Sequence, residues 1–156
     1  MNRTFEDYQP GHFGQFGPHV AHRDDIIAFA TDFDPQPMHI DEEAGRNSLL
    51  GGLAGSGWHM VSLAMRMAAD GFLSTTSGAR SYRIDETRWF SPFFPDQPLM
   101  LSVDVLSAEP FQPNPACGLV TFRLALLKAD DKPMMTMDVQ IAMDIKAGTM
   151  PRKVAS

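Results

Sequence analysis

From Trp58 to Asp70 the chain carries four polar side chains, His59, Ser62, Arg66 and Asp70, spaced three, four and four residues apart. On a helix that spacing draws a single stripe and leaves the rest of the circumference apolar. A helix this apolar has to be covered on most sides, so it fixes the plan of the domain around itself. The following sequence supplies the cover. Ser81 to Phe90, Leu99 to Ala108, Leu119 to Lys128 and Met134 to Ile145 predict strands, separated by Pro, Gly and Asp clusters. In the last of these, Met135, Met137, Val139, Ile141, Met143 and Ile145 alternate with Thr136, Asp138, Gln140, Ala142 and Asp144. That is the period-two pattern of a strand with one buried face. Ala129-Asp130-Asp131-Lys132 predicts the hairpin turn before it. Helices first and an antiparallel set of strands afterwards give an α+β domain in which the sheet wraps the one long helix.

The segment ahead of that helix is less regular. Residues 1–20, rich in Gly, Pro and aromatics, predict an entry arm with a short strand over Phe13 to Val20. Asp24 and Asp25 before Ile26-Ile27-Ala28-Phe29 mark the first turn of a short helix ending near Phe33. A second short helix, Asp41 to Arg46, has Asp41 as its cap, and the glycines of 51–57 form a flexible approach to the long helix. No repeat or linker divides the chain. We expect one domain over 1–156, with its core at about 20–145 and a flexible tail at 147–156.

Charge and composition remove several classes of function. A net charge of −6 and a pI near 5.2, with no Lys/Arg run, argue against a nucleic-acid partner. Cys117 is the single cysteine, so there is no disulfide framework and no thiol cluster for zinc. The polar, acidic N-terminus lacks a signal peptide's apolar core, and no window reaches the ~20 apolar residues of a membrane span. A cytoplasmic protein without a membrane partner is the expectation. Eleven Met and eleven Phe suit a core or pocket lining that moulds around something apolar.

Chemistry concentrates in Asp34-Pro35-Gln36-Pro37-Met38-His39 and in Ser56-Gly57-Trp58 at the head of the long helix. A rigid loop with two prolines can turn a carboxylate and an imidazole to one side, which suits proton transfer to or from water. The Gly57 N–H, at a helix start, has no partner four residues back and favours a developing negative charge. Other patterns fail on inspection. Asp32, Asp34, Gln36 and Glu43 mimic a calcium loop, but Pro37 stands where Gly must make the turn. The glycines of 51–57 do not fit dinucleotide or phosphate-loop spacing, and Ala54 stands where a serine-hydrolase elbow needs Gly. No metal site is expected.

Phe29-Ala30, Asp34-Pro35-Gln36-Pro37-Met38-His39-Ile40-Asp41, Gly51-Gly52-Leu53 and Gly57 with its helix resemble the hydratase 2 motif of MaoC-like dehydratases, the (R)-specific enoyl-CoA hydratase group. Glu86 to Pro92 resembles that family's strand before a proline-marked turn. The resemblance spans roughly residues 20–145. It implies the hotdog fold, a long helix wrapped by an antiparallel sheet, usually as a homodimer with active sites at or near the subunit interface. It also implies reversible syn addition of water across a trans-2-enoyl thioester, CoA or acyl-carrier bound, with no cofactor beyond that handle. Asp34 and His39 would then hold the water, with Asp34 activating it and His39 delivering the proton to the α-carbon as the first assignment, the sequence leaving open which of the two is base and which is acid. Gly57, with Ser56 and Gln36, would form the oxyanion and substrate-binding set. Four departures touch this picture. Gln36 replaces a common Asn, Ser56 precedes Gly57 where many members carry His, and Met65 stands where some have a serine facing the water. Phe94-Pro95-Asp96-Gln97 also replaces the usual Gly-Asp turn. The alternatives are a hotdog thioesterase and a non-catalytic acyl-binding subunit.

Overall fold

The protein is described here by a computed structural model covering residues 2–147; the expected tail falls, beyond 147, outside the described residues. Its strands are β1 (Gly11–Val20), β2 (Arg80–Trp89), β3 (Pro98–Pro110), β4 (Cys117–Leu127) and β5 (Pro133–Asp144). They form one antiparallel sheet in the order β1-β3-β4-β5-β2. The helices are α1 (Arg23–Phe33), α2 (Pro37–Ile40), α3 (Glu42–Asn47) and α4 (Gly57–Gly71), with short 3-10 turns at Phe5–Asp7 and Leu73–Thr75.

The predicted alternation of β5 is the buried face of the central sheet: Met135, Met137, Val139, Ile141 and Met143 all point into the core, joined by Leu99, Leu101 and Val103 of β3 and Phe122 and Leu124 of β4. Onto them α4 lays Met60, Leu63, Ala64, Met67 and Ala68. Burying each such large side chain contributes roughly 1.5–3 kcal/mol, which is why the helix stays under the sheet. An aromatic cluster of Tyr8, Phe13, Phe16, Phe72 and Phe122 closes one end of this core. The turn before β5 is as predicted, with the Lys128 N–H donating to the Lys132 carbonyl at 3.0 Å and Asp131 at a φ of 61°.

One expectation about α4 is corrected. Its exposed stripe is Trp58, Ser62, Arg66 and Asp70, an even spacing of four, and His59 is buried. The His59 ring stacks on Phe29 of α1 at 4.4 Å and meets Phe93 edge-on at 5.4 Å. Aromatic partners on both neighbouring elements pull the imidazole inward and push the tryptophan out.

Candidate active site

Asp34 caps the C-terminus of α1, its N–H donating to the Ala30 carbonyl at 2.8 Å. Pro37 then opens α2 in its first turn, where a missing N–H costs nothing and the fixed φ already suits a helix. His39 therefore stands on a short helix, where the sequence predicted a rigid loop. Two helix ends back to back bring the two side chains together. His39 Nε2 lies 3.7 Å from Asp34 Oδ2, both side chains largely shielded from solvent.

The remaining polar atoms have defined partners. His39 Nδ1 donates to the Ala54 carbonyl at 2.7 Å. A carbonyl only accepts, so Nδ1 carries the hydrogen and the neutral ring turns the Nε2 lone pair toward Asp34. On Asp34, Oδ1 accepts from Gln36 Nε2 at 2.8 Å and Oδ2 accepts from Ser56 Oγ at 2.5 Å. These two donors, Ser56 first, with the nearby imidazole, hold the Asp34 carboxyl below the usual carboxylate range despite partial burial. In that tautomer a carboxylate oxygen and a ring nitrogen, both acceptors, face each other at 3.7 Å. A water bridging them would donate one hydrogen to each and turn its oxygen lone pairs outward.

Ser56 and Gln36 are brought to the site, but as braces of Asp34. The Ser56 hydroxyl is completely buried, and besides donating to Asp34 it accepts from the Trp58 N–H at 3.2 Å as the N-cap of α4. Gly57 opens α4, and among the described residues nothing accepts from its N–H. It borders a cleft of about 390 Å³ lined also by Met38, His39, Leu50, Met60, Trp89 and Phe90. Sequence reasoning missed the indole of Trp89, which donates to the Gly57 carbonyl at 2.9 Å. A Cβ at Gly57 would lie 2.9 Å from Trp89 Nε1, so the glycine is what admits the indole. Only the aromatic pair Trp89-Phe90 at the end of a predicted strand could have hinted at it. The helix residue on the cleft is Met60; Met65 borders a separate depression with Ala69 and Ala79. Arg80, Arg83 and Arg88 are engaged locally, with Cys117 Sγ and the Gly78 carbonyl, Asp85 and Glu86 respectively.

A long helix under one antiparallel sheet, with a carboxylate and an imidazole at its head, defines a hotdog-fold protein. Residues 7–122 match the family model described as MaoC like domain, and the chain belongs to that family. Among solved structures it is similar to the MaoC-like dehydratase from Rhodospirillum rubrum, at 32% identity and a TM-score of 0.84 over 92% of this chain and 98% of that one. The unliganded R-hydratase PhaJ1 from Pseudomonas aeruginosa shares the fold at 15% identity and a TM-score of 0.74, over 93% of this chain and 88% of that one. The uncharacterized protein YdeM of Bacillus subtilis (strain 168) is 32% identical over 89 residues, 56% of this chain and 62% of that protein. Among the described residues no helix is long and apolar enough to cross a membrane, and no three His, Cys, Asp or Glu side chains gather as a metal site.

Proposed function

We propose that this chain is a hydro-lyase that adds water to, or removes it from, a trans-2-enoyl thioester, giving a 3-hydroxyacyl thioester. The observation that carries the reading is the 3.7 Å approach of His39 Nε2 to Asp34 Oδ2 beside the Gly57 N–H. A water held by the pair attacks C3. Nε2 takes its proton and returns one to C2 on the same face, while the thioester oxygen, carrying the charge between, accepts from the Gly57 N–H. Asp34 orients the water and offsets the transient imidazolium, because a carboxylate already holding two donors is a weak base. This moves the proton-taking step from Asp34, where the sequence reading put it, to His39. No cofactor beyond the CoA or acyl-carrier handle enters the reaction, and the cytoplasm is its proposed setting. A thioesterase reading finds less support, since the acidic residue of α4, Asp70, ends the helix and pairs with Arg66 at 2.7 Å.

The working unit in this reading is a pair of chains. β2 is an edge strand whose Tyr82 and Ile84 are exposed, and it adjoins the outer face of α4 through Met65 and Ala69. An open edge with apolar side chains is a template for further pairing, which a second copy would satisfy.

The test follows the conjugated enoyl-thioester absorbance across several chain lengths, with a thiol reagent in parallel. Loss of the band without thiol release is the expected result, and Asp34→Asn and His39→Ala should each lower turnover by about 10²-fold or more. Thiol release would make the protein a thioesterase. Full activity in either variant would overturn the mechanism, and binding without turnover would leave an acyl-binding subunit.

A further inference from the structure

We propose that Ser56 is a positioning residue of the reaction: its hydroxyl fastens the Asp34 carboxylate to the first turn of α4, so that one side chain sets the spacing between the water-holding pair and the Gly57 N–H. The inference rests on the hydratase reading and goes beyond it in assigning a task to a residue that does not touch substrate. Three observations support it. Ser56 is completely buried, so its hydroxyl serves protein groups and not a ligand. Its hydrogen goes to Oδ2, the same Asp34 oxygen that faces His39, at 2.5 Å. Its lone pair takes the Trp58 N–H at 3.2 Å, one residue past Gly57, so the oxygen serves as the N-cap of α4.

Asp34 belongs to the end of α1 and Gly57 to the start of α4, and the backbone between them runs through α2, α3 and a glycine-rich loop. The His39 bond to the Ala54 carbonyl fastens α2 to the approach of α4, and the Ser56 hydroxyl fastens Asp34 itself to the head of α4. It also leaves Asp34 Oδ2 one donor short of saturation, the place a water hydrogen would take. His39 is the titratable side chain facing Asp34 among the described residues; Gln36 and Ser56 supply its other polar contacts. The low range of the Asp34 carboxyl, set first by Ser56, agrees with this geometry.

Two variants lacking the hydroxyl separate positioning from capping. Gly is tolerated at a helix N-cap and Ala is not, so a purely capping residue would make Ser56→Ala much worse than Ser56→Gly. A positioning residue makes them equally poor catalysts. Both should lose about 10- to 100-fold in kcat/KM on the enoyl thioester, the range for a hydrogen bond to a charged group. Carbon-13 titration of the Asp34 carboxyl needs no turnover, and it should move upward in Ser56→Gly, which loses the donor that lowers it most. Coincident Asp34 titrations in the wild type and Ser56→Gly would overturn the proposal, as would a Ser56→Gly enzyme with unchanged kcat/KM. A wild type without hydratase activity but with the shifted titration would refute the reaction and keep the tie.

Discussion

Replacing His59 with Leu should flatten the acid limb of the protein's stability curve. The imidazole is wedged between Phe29 and Phe93, and its Nδ1 is buried without a hydrogen-bond partner. Burial lowers its pKa from the ordinary 6.5 to about 4. The fold therefore holds the neutral ring, whereas the unfolded chain begins to take up a proton as pH falls through 6.5. Because the unfolded state binds more protons across this window, stability is fully present above about pH 6.5 and drains away down to about pH 4. At about 1.4 kcal/mol per pH unit, the interval from 6.5 to about 4 amounts to about 3 kcal/mol. Leu keeps the apolar contact and has no proton to gain. At neutral pH it loses the stack with Phe29, about 0.5–1.5 kcal/mol. It also removes the unpartnered nitrogen, worth about 1–3 kcal/mol. The two proteins should then be close in stability at pH 7 and separate as pH falls. Urea unfolding at half-unit steps from pH 7.5 to about 4 measures the difference, and subtracting the curves cancels every other titrating group. Parallel curves would refute the buried-neutral account of His59.

The remaining predictions concern the glycines of the approach to α4 and the open sheet edge. Gly55→Ala would set a Cβ 2.0 Å from the Phe93 ring, which is fully buried, so we expect a loss of roughly 2–3 kcal/mol and a Tm drop of about 5–10 °C in calorimetry. Gly51→Ala is the contrast: nothing lies within 4 Å, and its φ of 73° alone should cost about 1 kcal/mol. On the proposed pairing through β2, the wild type should scatter light as two chains and Ile84→Lys as one, and a single-chain wild type or an unchanged mass in the variant would refute that pairing.

Much of the architecture could be read from side-chain periodicity. The apolar face of α4 and the alternation of Met135 to Met143 are local signals that the core reinforces, so they survive folding. The His59 assignment failed because a helical stripe cannot tell whether a neighbouring element will offer aromatic faces to a histidine. Asp34 and His39 were visible as a pair. Their geometry was not, because it depends on a helix one turn long, whose formation reflects Pro37 at its start and the Ala54 carbonyl receiving His39. Trp89 was out of reach for a different reason: its partner Gly57 lies on another element, and glycine leaves no trace in sequence of which ring it admits. Ser56 was named as a substrate contact because its position was legible and its direction was not.

Gly55 and Gly57 flank Ser56, and each accepts an aromatic ring, Gly55 that of Phe93 from the loop after β2 and Gly57 that of Trp89, the last residue of β2. The two short segments are therefore locked to one another by shape. A larger residue in one segment calls for a smaller one in the other. A directed-evolution library aimed at this cleft would do best to vary residues 55, 57, 89 and 93 jointly, since single changes at 55 or 57 meet a ring first.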